Sequence, residues 1–73
     1  MNLGDARDAF YEAKRTEMLP LAVNDVVTVR EGTKSGARAS VISLESLPPE
    51  AKYLVEYEDG SDQIVLLTHL QRE

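Results

Sequence analysis

The run from Tyr53 to Val65 constrains this chain more than any other, because it reads as two strands and the turn between them. Tyr53, Val55 and Tyr57 project to one face while Lys52, Leu54, Glu56 and Glu58 project to the other, since successive strand side chains point to opposite sides. Asp59-Gly60 tolerates positive φ, as a tight two-residue hairpin turn requires. Beyond it, Gln63 and Val65 alternate with Ile64 and Leu66. A hairpin cannot hide its apolar face by itself, so the remaining residues must cover it.

There are few residues with which to do so. A chain of 73 residues makes one domain with a small core, and the absence of cysteine removes disulfides and thiolate zinc sites as staples. No apolar stretch approaches signal-peptide or membrane-span length, and cysteine-free composition suits a reducing compartment, so a soluble cytoplasmic protein is expected. Thirteen acidic residues against eight basic ones give a formal charge of −5. That balance disfavours phosphate backbones and anionic membranes as partners.

Residues 1–20 differ from the rest. Leu3, Ala6, Phe10 and Ala13 recur at helical spacing in a segment rich in Ala, Glu, Lys and Arg, with Asn2 as N-cap, Asp5 and Asp8 near the positive end of the dipole and Lys14 and Arg15 towards the negative end. Pro20 pushes its predecessor out of the α region, which predicts a helix end near Met18. Phe10 is the one large side chain on the apolar stripe, and a helix this short is marginal in water, so it needs a surface to lie on.

From Leu21 the pattern is β. Val23, Val27 and Val29 share one side of a first strand, and the polar connector Glu31 to Gly36 turns the chain. A second strand, Ala37 to Leu44, is expected to place Ala39 and Val41 on one face and Ile42 and Leu44 on the other. Pro48-Pro49 cannot donate ladder hydrogen bonds, which makes Ser46 to Ala51 a loop before the hairpin. Thr68-His69-Leu70 reads as a short turn into a last strand at Leu70 to Arg72. Strands this close leave no room for crossover helices. The expected fold is therefore mainly β: residues 21–73 form a small antiparallel barrel, preceded by one N-terminal helix.

Asn24 to Val29, Ala39 to Ser43, Tyr53 to Gly60, Val65 and Leu70 together resemble the SH3-like barrels of the Tudor, Agenet and KOW type, over roughly residues 23–72. The resemblance implies a fold and leaves several functions open. Tudor and Agenet readers hold methylated side chains in an aromatic cage. Here the rings are Phe10, Tyr11, Tyr53 and Tyr57, without tryptophan, and the first loop carries none. The plainer expectation is that Tyr53 and Tyr57 are core rings with hydroxyls at the rim, Tyr57 being the more reachable because it lies nearer the turn.

A KOW-like module would bind RNA or the ribosome, with Arg30, Lys34 and Arg38 around the first turn as the phosphate-facing cations. Those three oppose Glu56, Glu58, Asp59 and Asp62 in the other hairpin, a dipolar arrangement and not a basic stripe. Gly60 to Val65 is also similar to a strand of the type II dihydrofolate reductases, in which a Val-Gln-Ile-Tyr segment lines a pore formed by four subunits. Gln63 and Ile64 match that segment, Asp62 and Val65 do not, and the pore lysine has no clear counterpart. His69 has no second histidine or cysteine with which to bind zinc, and reads as an exposed residue of the C-terminal turn.

The sequence is thus read as a non-enzymatic protein-interaction module, an adaptor or accessory subunit that is monomeric or weakly self-associating and needs no cofactor or metal. Tyr57, Asp59, Arg30, Lys34 and Arg38 are its candidate partner-contacting residues. RNA or ribosome association is the first alternative, and a reductase of the type II kind the second.

Overall fold

The computed structural model describes residues 2–30, 32 and 35–73. The chain runs α1 (Leu3–Tyr11), β1 (Val26–Val29), β2 (Arg38–Ser46), β3 (Lys52–Tyr57), β4 (Asp62–Leu66), a 3-10 turn (Leu67–His69) and β5 (Leu70–Arg72). Among the described residues it is mainly β, with five strands in one antiparallel sheet ordered β4-β3-β2-β1-β5 and a single N-terminal α-helix. β4 and β5 lie at opposite edges yet run in the same sense, and only three residues join them. A flat sheet would need a crossover of a dozen or more residues for that connection. The sheet must therefore coil until β5 continues from the end of β4.

The hairpin forms, with Tyr53, Val55 and Tyr57 all facing the core, but it pairs Tyr53 with Val65 and Val55 with Gln63, one residue off the register that a two-residue turn at Asp59-Gly60 would set. Its turn is longer than the expected two residues. Tyr57 and Ser61 still pair, the Gly60 N–H donates to the Tyr57 carbonyl at 3.0 Å, and Gly60 adopts φ +87°. Glu58, Asp59 and Gly60 thus form a three-residue loop whose glycine takes the left-handed position.

Two other expectations need correction. Leu44 faces the core along with Ala39 and Val41, because the pairing shifts between Val41↔Val55 and Ser43↔Leu54. Ile42 is the extra residue of a β-bulge, and one inserted residue exchanges the faces of everything after it. The helix ends at Tyr11, well short of Met18. Its carbonyls are closed by Ala13 N–H to Phe10 O and Lys14 N–H to Ala9 O, with Ala13 itself at φ +60°. That pair of bonds is a Schellman cap with alanine where glycine is usual. Ala13 accordingly leaves the apolar stripe and is exposed, and Lys14 and Arg15 lie beyond the last turn.

At the other end, Asn2 Oδ1 accepts the Asp5 N–H at 2.8 Å, the expected N-cap. The buried face, Ala6 and Phe10, lies on β2 and packs with Leu44 and Tyr53 in the core, and the Phe10 and Tyr53 ring centroids are 6.0 Å apart. Arg7 Nε donates to Leu44 O at 2.9 Å and Tyr11 Oη to Ile42 O at 3.4 Å. Both acceptors belong to the bulged stretch, where the ladder is interrupted and carbonyls are left for other donors. From the helix an irregular strap returns to β1, bringing Leu19, Leu21 and Ala22 into the core. Asp25 anchors its end: Oδ2 accepts the Ala22 N–H at 2.8 Å, and Arg15 reaches both carboxylate oxygens.

Candidate functional site

Of the five residues singled out from sequence, Arg38, Tyr57 and Asp59 line one shallow surface pocket together with Ala37 and Glu58, and Arg30 is not among its lining residues. Tyr57 is 5% exposed and its hydroxyl donates to Gln63 Oε1 at 2.7 Å, so little of its ring is reachable. Asp59 is a turn-former, with Oδ1 accepting from Ser61 N–H at 2.9 Å and from Ser61 Oγ at 2.6 Å. Arg30 donates through Nε to Gln71 Oε1 at 3.1 Å, and its terminal nitrogen contacts the same oxygen. Arg38 pairs with Glu73 at 2.9 Å, and this hydrogen bond, followed by the attraction of the two charges, raises the guanidinium pKa above its ordinary value. Lys34 lies outside the described residues. Of the three expected cations, the two described are thus tied to the β5 end of the chain, one of them to a carboxylate.

His69 is half-buried, a correction to the exposed position expected, and its carbonyl accepts the Arg30 N–H at 2.8 Å. Gln63 and Ile64 fall on opposite faces of β4, Gln63 towards Tyr57 and Ile64 towards solvent. Among the described residues no group of three or more His, Cys, Asp or Glu could hold a metal ion, and no helix is long and apolar enough to cross a membrane.

Of the two edges of the sheet, β5 offers three residues and β4 five. In the ladder of β4 with β3 the bonds from Tyr57 N–H to Ser61 O and from Leu67 N–H to Ala51 O fix the phase. Ser61, Gln63, Val65 and Leu67 therefore turn their backbone groups towards β3, and Asp62, Ile64 and Leu66 turn theirs outward. Among the described residues no strand lies beyond β4. Ile64 is 53% exposed at the middle of this edge, with Leu54 directly across on β3 and Leu66 two residues on. The sequence carried a signal for it. β4 is apolar in both phases, Val65 in one and Ile64 with Leu66 in the other, whereas a strand covered on one side alone needs only one.

The rest of the edge is acidic. Glu56 and Asp62 are direct cross-strand partners on the solvent face, like charges in a position that costs stability, and Glu58 and Asp59 continue the row into the turn. At the other end, Leu66 opens onto a groove of about 460 Å³ formed with Met18, Pro48, Pro49 and Leu67, and Glu17 and Glu50 also line it. No family model, curated protein or solved structure matches the chain.

Proposed function

We propose that this chain is a non-enzymatic protein-interaction module of the cytoplasm, an SH3-like barrel that binds its partner by accepting a strand on the outer edge of β4. The observation that carries the reading is that edge: Asp62, Ile64 and Leu66 present outward backbone donors and acceptors around a half-exposed isoleucine. Unpaired edges bind extended peptides through main-chain hydrogen bonds, and side-chain pockets add selectivity. The charge distribution supports a protein partner over a nucleic acid, since the chain carries −5 overall and Arg38 already pairs with Glu73.

The test is affinity capture from lysate with and without nuclease, comparing the wild type with Ile64→Pro and Ile64→Ala. Proline at 64 removes an outward N–H and leaves the β3–β4 ladder intact. Circular dichroism should report an unchanged fold, capture should survive nuclease, and Ile64→Pro should lose it to a greater extent than Ile64→Ala. Capture that disappears with nuclease, or that Ile64→Pro leaves untouched, would overturn the reading.

A further inference from the structure

The β4 edge and the groove beyond it form one continuous track, and we infer that its ligand is an extended, cationic peptide segment with a large apolar residue at one end. This rests on the strand-addition reading above and names the partner's chemistry. Leu66 belongs to both parts: its backbone groups face outward along the edge, and its side chain lines the groove. A strand paired along Asp62, Ile64 and Leu66 therefore arrives at Met18, Pro48 and Pro49 without leaving its extended path. Met18 is 64% exposed and unbranched, a side chain that adapts to an incoming apolar anchor.

Charge selects the rest of the segment. Glu56 and Asp62 face each other across the ladder, and Glu17 and Glu50 line the groove; the two strands carry only Lys52 against them, while Arg38 of β2 lies by Glu56 and Glu58 on the side away from β4. Adding Lys or Arg beside Glu56 and Asp62 relieves a repulsion that the free protein bears. An acidic segment would add to it. A second copy of this chain would bring its own Glu56 and Asp62 to the same edge, so edge-to-edge pairing of two copies is opposed by the charges that favour a basic partner.

A random linear peptide library displayed on phage, selected on the immobilised full chain, is the probe. The selected pool should be enriched in Lys and Arg over the unselected library, should carry a large apolar residue at one end, and should bind several-fold more weakly as salt rises. Glu56→Lys combined with Asp62→Lys should redirect selection towards acidic peptides, and Met18→Asp should erase the preference for the apolar anchor while leaving the basic bias. Binders that are lost with Ile64→Pro but show no basic bias would overturn the inferred chemistry and leave strand addition standing. Binders indifferent to Ile64→Pro would overturn both. A pool with no binders, together with sedimentation showing a dimer that Ile64→Pro dissociates, would make a second copy the occupant and refute the inference.

Discussion

Deleting the Phe10 ring tests whether the helix is part of the domain or an appendage to it. Phe10 is 2% exposed, packs with Leu44 and Tyr53 in the core, and has its ring 6.0 Å from that of Tyr53. Truncating a buried phenylalanine to alanine costs about 3–5 kcal/mol, part of it lost transfer energy and part the cavity left behind. A domain of 73 residues has a total stability of about 4–11 kcal/mol at typical values per residue. Phe10→Ala should therefore leave a protein close to the edge of folding. With a urea slope of about 1 kcal/mol per molar for so small a domain, the midpoint should fall by about 3–5 M. Tyr11→Ala is the comparison: it deletes a ring that is 55% exposed, with its edge contact to Phe10 and its long bond to Ile42 O, and should cost less, about 1–2 kcal/mol. Removing residues 1–20 takes Leu19 along with Ala6 and Phe10, and should abolish cooperative unfolding. Equal urea midpoints for Phe10→Ala and Tyr11→Ala, or a truncated chain that melts like the intact one, would refute the docking.

Ala13→Gly should raise the urea midpoint, by about 0.5–1 kcal/mol in stability, because it relieves a left-handed alanine at the helix cap. Burial raises the Asp25 pKa, but the Arg15 hydrogen bond and the Ala22 N–H outweigh it, so the net value lies below the ordinary one. Its contribution is present above about pH 4 and is lost as pH falls through the lowered value, so urea midpoints against pH should show a shallower acid limb for Asp25→Asn. Among the described residues, Tyr53 Oη is buried without a hydrogen-bond partner. Tyr53→Phe should be neutral or stabilising by up to about 1 kcal/mol in thermal melts. The same burial raises the Tyr53 pKa, so the native state loses stability as pH climbs above about 10, and alkaline melts of Tyr53→Phe should lack that part of the loss.

Alternation along β3 and the Asp59-Gly60 signal made the hairpin legible, and the two prolines made the loop before it legible. What escaped was structure decided by one residue. Ile42 satisfies a strand pattern as well as its neighbours do, and nothing local shows that it is bulged; only the partner strand reveals that Leu44 belongs inside. The helix end was misplaced because Pro20 is a strong stop and Ala13 looks like a good helix former. Its left-handed conformation follows from the strap that must dive back to bury Leu19 and Leu21, a tertiary demand that overrides propensity. At the candidate site the cations were visible and their ties were not: Arg30 and Arg38 reach residues more than thirty positions away, Gln71 and Glu73. The open β4 edge depends on strand order, which only the folded sheet supplies.

The place of β5 in that order has a consequence for how the molecule assembles and comes apart. β2, β3 and β4 pair as successive neighbours, Ala39 with Tyr57 and Lys52 with Leu66, so each step closes a short loop. β1 and β5 join Val27 to Arg72 across most of the chain, and only three residue pairs reward that long closure. β1 pairs with β2 across a similarly short loop, so the meander from β1 to β4 should form early and exchange slowly, and the seam between β1 and β5 should form late and open first. Each opening replaces the three-residue edge of β5 with the edge of β1. Amide exchange at Thr28, which lies across from Gln71 in that seam, therefore measures how often β1 briefly becomes the border of the sheet.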